Sequence, residues 1–122
     1  MIIGIGTDII EIDRVENAIN KNNSFLEKVF TSKEIEMFKS RNMRSEVIAG
    51  NFAAKEAVSK ALGTGFRGFS LTDMEILRDE LGKPIVFLNK DIEKMINVEY
   101  RLNISISHNK TSAIAFAILE EI

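Results

Sequence analysis

An alanine-rich run, Asn51 to Leu62 (NFAAKEAVSKAL), constrains this 122-residue chain more than any other segment. Alanine is the best helix former, no proline interrupts the run, and Gly63 stands where a helix commonly turns left-handed and stops. A helix is therefore expected, with Ser45 as a candidate cap for the orphan N–H groups at its start. Residues four apart share a helix face, so Ile48, Phe52, Glu56 and Lys60 form one row. An apolar row thus runs directly into a carboxylate and an ammonium. Charges are seldom buried unless they are paired or bound to something. As an isolated surface pair, Glu56 and Lys60 would contribute only ~0.3–0.5 kcal/mol.

The chain length fits one domain, residues 1–122, and 45% hydrophobic composition supplies one core. Sixteen Lys and Arg oppose eighteen Asp and Glu, which leaves no polybasic footprint for nucleic acid or an anionic membrane. The absence of cysteine excludes disulfides, thiolate metal sites and cysteine nucleophiles. It also fits a cytoplasmic protein. No apolar run reaches the ~18 residues a membrane span needs. The start, MIIGIGTDII, has no basic region before its apolar residues and reads as part of the fold.

Ile2 to Ile12 reads as a strand, with Gly4 and Gly6 marking a kink, a bulge or a close backbone approach. Asp8 interrupts it with a carboxylate that is costly to bury without a cation, a donor or a turn to serve. Short helices are expected over Asp13–Lys21 and Ser24–Phe30. A third starts at the capping box Thr31–Glu34 and stops near Ser40. Arg41 to Arg44 is a polar connection, solvated or holding an anion. After the central helix, residues 63–68 match G-x-G-x-x-G. A helix precedes them rather than a strand, so the dinucleotide reading fails and a loop remains. Leu71–Arg78 and Pro84–Leu88 read as strands joined by a turn containing Gly82. Asn89 caps a helix to Val98, with Ile92, Met95 and Ile96 inward. Tyr100–Ser107 alternates, with Ser105 and Ser107 on one face. Ala113–Leu119 is apolar on both faces, as a central strand is. The sum is α+β: an antiparallel sheet packed against a long central helix and shorter helices.

His108, the only histidine, follows Ser107. A single histidine rules out the two-histidine zinc motifs, and no elbow serine supports a hydrolase triad. Asp8, Glu56, Lys60 and His108 are the remaining candidates. Two carboxylates suit a hard cation such as Mg²⁺, which shares its shell with waters and phosphates. A lysine and a histidine suit the phosphate charge. The set reads as a Mg²⁺–pyrophosphate site.

Three segments, Gly4-Ile5-Gly6-Thr7-Asp8-Ile9, Phe52-Ala53-Ala54-Lys55-Glu56-Ala57-Val58-Ser59-Lys60-Ala61 and Ser105-Ile106-Ser107-His108, together resemble the signatures of bacterial holo-acyl-carrier-protein synthases. These are the short-chain 4′-phosphopantetheinyl transferases, and order, spacing and total length all match. The resemblance implies the fold of that family. It also implies Mg²⁺-dependent transfer of phosphopantetheine from coenzyme A to a serine of apo acyl carrier protein, for fatty acid biosynthesis, with 3′,5′-ADP released. It assigns the metal to Asp8 and Glu56, and coenzyme A phosphate contacts to Lys60 and His108. Gly82, Lys83 and Pro84 would lie near the nucleotide, and Arg14 would meet acidic residues of the carrier protein. It further implies a homotrimer with active sites between subunits. The proton of the serine goes either to Glu56 or to a water held by the metal. One position departs from the pattern: the residue before Phe52, commonly Arg in the family, is Asn51, with Arg41 or Arg44 as candidates to replace an anion contact there. A non-catalytic nucleotide-binding module and a structural oligomer are the competing readings.

Overall fold

A computed structural model describes residues 1–63 and 68–122. Most of the glycine-rich loop expected over residues 63–68 lies outside these. The elements run β1 (Ile2–Glu11), α1 (Ile12–Lys21), α2 (Phe25–Val29), α3 (Ser32–Ser40) and α4 (Ser45–Leu62). A 3₁₀ turn (Leu71–Asp73), β2 (Met74–Arg78), β3 (Pro84–Leu88), α5 (Lys90–Ile96), β4 (Tyr100–His108) and β5 (Ser112–Glu121) follow. β5 lies between β1 and β4, antiparallel to both, and β2 and β3 form a separate hairpin. The expected α+β class is what the chain adopts.

α4 crosses one face of the three-stranded sheet, and small residues let it approach closely. Ala53, Ala54, Ala57 and Ala61 of the helix and Ala113, Ala115 and Ala117 of β5 are buried. At Gly4 and Gly6 the contact is backbone to backbone: an added Cβ would collide with the carbonyl oxygens of Ala61 and Ala57. The register irregularity between Ile2 and Gly4 is the bulge expected there. On the opposite face of the sheet, β1 and β5 carry apolar side chains that are uncovered. Ile5 is 59% exposed, Ile9 66% and Phe116 38%. A sheet face in water normally carries polar side chains, so this one is unusual.

A second apolar cluster joins α1, α2, α3 and the first half of α4 through Val15, Val29, Phe30, Phe38, Ile48 and Ala49. A charged pair lies against it. Lys55, fully buried, donates to Glu34 Oε1 at 2.6 Å, to Val29 O at 2.8 Å and to Leu71 O at 2.9 Å. Glu34, also fully buried, accepts from the N–H groups of Thr31 at 2.9 Å and Ile76 at 3.1 Å. One ion pair thus ties α2, α3, the 3₁₀ turn and β2 to the central helix. Burial lowers the pKa of Lys55, and the Glu34 carboxylate opposes that shift.

Several boundaries differ from expectation for local reasons. Ser45 does not cap α4; it is the first helical residue, and extended Arg44 precedes it without a side-chain cap. Residues 71–73 do not begin the strand, because Ser70 and Asp73 close a reciprocal capping box around a 3₁₀ turn. α5 ends at Ile96 rather than Val98, since Asn97 takes the left-handed conformation, and Met95 is exposed rather than inward. The capping box at Thr31 and the cap at Asn89 form as expected.

Candidate functional site

Asp8 pairs in register with Ala115, which puts its side chain on the helix-covered face of the sheet. The glycines before it hold β1 against α4, and the last turns of the helix present Glu56 and Lys60 to the same place. Lys60 Nζ donates to Asp8 Oδ1 at 3.3 Å and to Thr7 O at 2.9 Å. Glu56 is partly buried; burial first, then the nearby Asp8 charge, raises its pKa, and Lys60 works against that shift. The alternative of an isolated Glu56–Lys60 surface pair does not form: the lysine bonds to Asp8 across the strand–helix contact. Two carboxylates and one half-exposed ammonium meet there. Such a donor set suits a hard divalent ion that completes its shell with waters and phosphate oxygens. The repulsion between Asp8 and Glu56, which Lys60 offsets only in part, is what such an ion would relieve.

His108 does not join this cluster within one chain. It is the last residue of β4, pairs with Ala113 of β5, and is exposed. β4 and β1 are the two edges of the sheet, so His108 lies two strand spacings from β1, on the order of 10 Å across. The β2–β3 hairpin also stands apart, since β3 packs along β4. In its turn, Asp79 Oδ1 accepts from the N–H groups of Leu81 and Lys83, both at 2.9 Å, and Gly82 takes a positive φ of 86°. Lys83 is exposed beside partly buried Gly82 and Pro84. Arg14 is exposed on α1 and lines a small apolar cleft of about 100 Å³ with Ile10, Val15, Ala18, Phe25 and Phe52.

Asn51 is fully buried. Its amide donates to Ile76 O at 2.9 Å and to Glu34 Oε2 at 3.4 Å, and its oxygen accepts from Arg78 Nη2 at 3.4 Å. Sequence reasoning missed this polar stripe. The signal was present, because Asn51, Lys55 and Ser59 recur at four-residue spacing and all are buried. Read alone, such a row resembles a solvated face.

The comparisons with known proteins point one way. A family model described as the 4′-phosphopantetheinyl transferase superfamily matches residues 4–117. The chain is 61% identical to a holo-[acyl-carrier-protein] synthase of Clostridium botulinum, with both proteins covered completely. The Bacillus anthracis holo-(acyl-carrier-protein) synthase, solved in complex with coenzyme A (3′,5′-ADP), is 38% identical. It superposes with a TM-score of 0.83 over 100% of this chain and 99% of that one. The Helicobacter pylori enzyme, solved with coenzyme A, is 36% identical, with a TM-score of 0.86 over 95% of this chain and 99% of that one. With nearly the whole chain matched in both sequence and fold, it belongs to the 4′-phosphopantetheinyl transferase superfamily.

Proposed function

We propose that this chain is a holo-acyl-carrier-protein synthase. It moves 4′-phosphopantetheine from coenzyme A to a serine of apo acyl carrier protein of fatty acid synthesis, in the cytoplasm. The observation that carries the reading is the convergence of Asp8, Glu56 and Lys60 where β1 crosses α4. Asp8 and Glu56 would hold Mg²⁺, which when bound neutralises the diphosphate and orients it for attack.

The chain's own groups account for the rest. A new bond forms between the serine oxygen and the pantetheine-side phosphorus, and the bridging P–O bond to 3′,5′-ADP breaks. The serine proton must leave, and either Glu56 or a water held beside it would accept it. Lys60 is held only by a 3.3 Å contact to Asp8 and one backbone oxygen. Its amine is half-exposed and free to turn to the leaving phosphate, where charge accumulates. Arg14 would meet the acidic carrier protein beside the apolar cleft.

A homotrimer completes the picture. The uncovered Ile5, Ile9 and Phe116 face supports burial against other copies. Assembly would also bring His108 and the turn at Gly82, Lys83 and Pro84 of one subunit toward the carboxylates of the next. The test is the intact mass of an apo acyl carrier protein incubated with this protein, coenzyme A and Mg²⁺. A gain of one phosphopantetheine, abolished by EDTA, is expected; no gain with wild-type protein would overturn the reading.

A further inference from the structure

Lys55 is a buried charge for which the proposed chemistry has no use. It is the chain neighbour of Glu56, yet about 100° away around α4. Its three N–H donors go to three different elements: Glu34 on α3, Val29 at the end of α2, and Leu71 in the 3₁₀ turn. The ammonium also lies 5.1 Å from the centroid of the Phe30 ring. Glu34 is held as firmly. Its Oε1 accepts from Thr31 N as well as from Lys55, and its Oε2 accepts from Ile76 N and, at 3.4 Å, from Asn51 Nδ2. Neither side chain of the pair has exposed surface.

Stability alone does not account for such a pair. Desolvation of both charges offsets most of their attraction, and apolar residues of the same volume often hold a core as well. What the ionic pair adds is direction. The sheet side of α4 supplies little of it. There Ala57 and Ala61 meet Gly4 and Gly6 backbone to backbone, beside Ala115 and Ala117. Small residues allow that close approach, but they offer no ridges to interlock and so fix the rotation of the helix weakly.

Rotation matters at Glu56. A carboxylate roughly 6 Å from the helix axis moves about 1 Å for about 10° of rotation. Mg²⁺ demands near-ideal octahedral geometry, and a misplacement of about 1 Å is enough to lose most of a rate. We propose that Lys55 and Glu34 are positioning residues: tied to three elements on one side of α4, they fix the rotation that sets Glu56 beside Asp8 as a metal ligand. The assignment rests on the metal-dependent transferase reading and names side chains that do not touch the substrate.

The decisive measurement is Mn²⁺ affinity, read by electron paramagnetic resonance on the substrate-free protein, since Mn²⁺ takes the same oxygen ligands as Mg²⁺. Lys55→Met is compared with Phe38→Ala, a truncation in the apolar cluster that the pair adjoins, at a temperature where urea unfolding shows both folded. Lys55→Met should weaken Mn²⁺ binding about tenfold or more, as loss of a residue supporting a metal ligand does. It should lower kcat at saturating metal by a similar factor. Phe38→Ala, destabilised to a similar degree, should stay within about twofold of wild type in both. Metal-free affinity for 3′,5′-ADP should change less than about twofold in either variant. Glu34→Gln keeps the side-chain shape and weakens the tie to Lys55. It should show the same loss of Mn²⁺ affinity, more weakly, and it decides the matter if Lys55→Met does not fold. Equal losses in Lys55→Met and Phe38→Ala would make the pair merely structural and overturn the proposal. Unchanged Mn²⁺ affinity in the folded variants, or no Mn²⁺ binding by wild type, overturns it as well. Absent transfer with the Mn²⁺ difference intact would remove the transferase reading while leaving the positioning role standing.

Discussion

Lys55 and Lys60 stand five positions apart on one helix, and each faces an acid. Their surroundings make them opposites. Lys55 has no exposed side-chain surface and meets Glu34 at 2.6 Å with two carbonyls completing its three donors. The Lys60 side chain is 55% exposed and meets Asp8 at 3.3 Å. A buried, fully bonded charge cannot move without leaving its partner stranded in a low-dielectric interior. A half-solvated one exchanges its partner for water or ligand at little cost. The first pair fixes how α4 is rotated against α3 and β2. That rotation directs Glu56 and Lys60 toward Asp8, where the second pair is free to open for a substrate.

The comparison breaks most completely at the carboxylates. Asp8→Ala or Glu56→Ala should lower turnover by about a thousandfold or more, because each removes a proposed metal ligand. The melting temperature should change little, and a variant with wild-type rate would discard the assignment. Next in size is Lys55→Met. It strands Glu34 and is expected to cost about 3–5 kcal/mol in urea unfolding, whereas Lys60→Met should cost no more than about 1 kcal/mol. Equal destabilisation of the two would erase the distinction between them. Lys60→Met should instead lower kcat/KM by roughly a hundredfold, as the loss of one transition-state donor does.

The smallest effect is the most diagnostic of Glu56. Its folded pKa is raised by burial and by Asp8, so its ionised form opposes folding above that pKa, and the opposition fades as pH falls through it. Metal-free Glu56→Gln should therefore melt a degree or two above wild type at neutral pH. The gain should shrink on acidification and reverse in sign once Mg²⁺ stabilises the wild-type protein. A constant difference across pH would show that charge is not its cause.

Much of this was legible in the residues. The alanine run with Gly63 after it specified α4, and the capping residues Thr31 and Asn89 marked helix starts, because caps act through neighbours in the chain. Gly4 and Gly6 announced a close backbone approach. Asp8, Glu56 and Lys60 stood out as charges set among apolar neighbours. What tertiary structure alone decided is who meets whom. Glu34 read as a capping residue and became the partner of Lys55 as well, contacts spanning 21 residues that no local pattern encodes. Asn51 read as a missing arginine, and only the fold shows Arg78 arriving beside it from β2, 27 residues on. His108 read as a member of the Asp8 cluster, yet strand order sets it on the far edge of the sheet. Periodicity and capping depend on residues a turn or two apart. Ion pairs and site composition depend on strand order and helix rotation, which the chain settles only when its whole core packs.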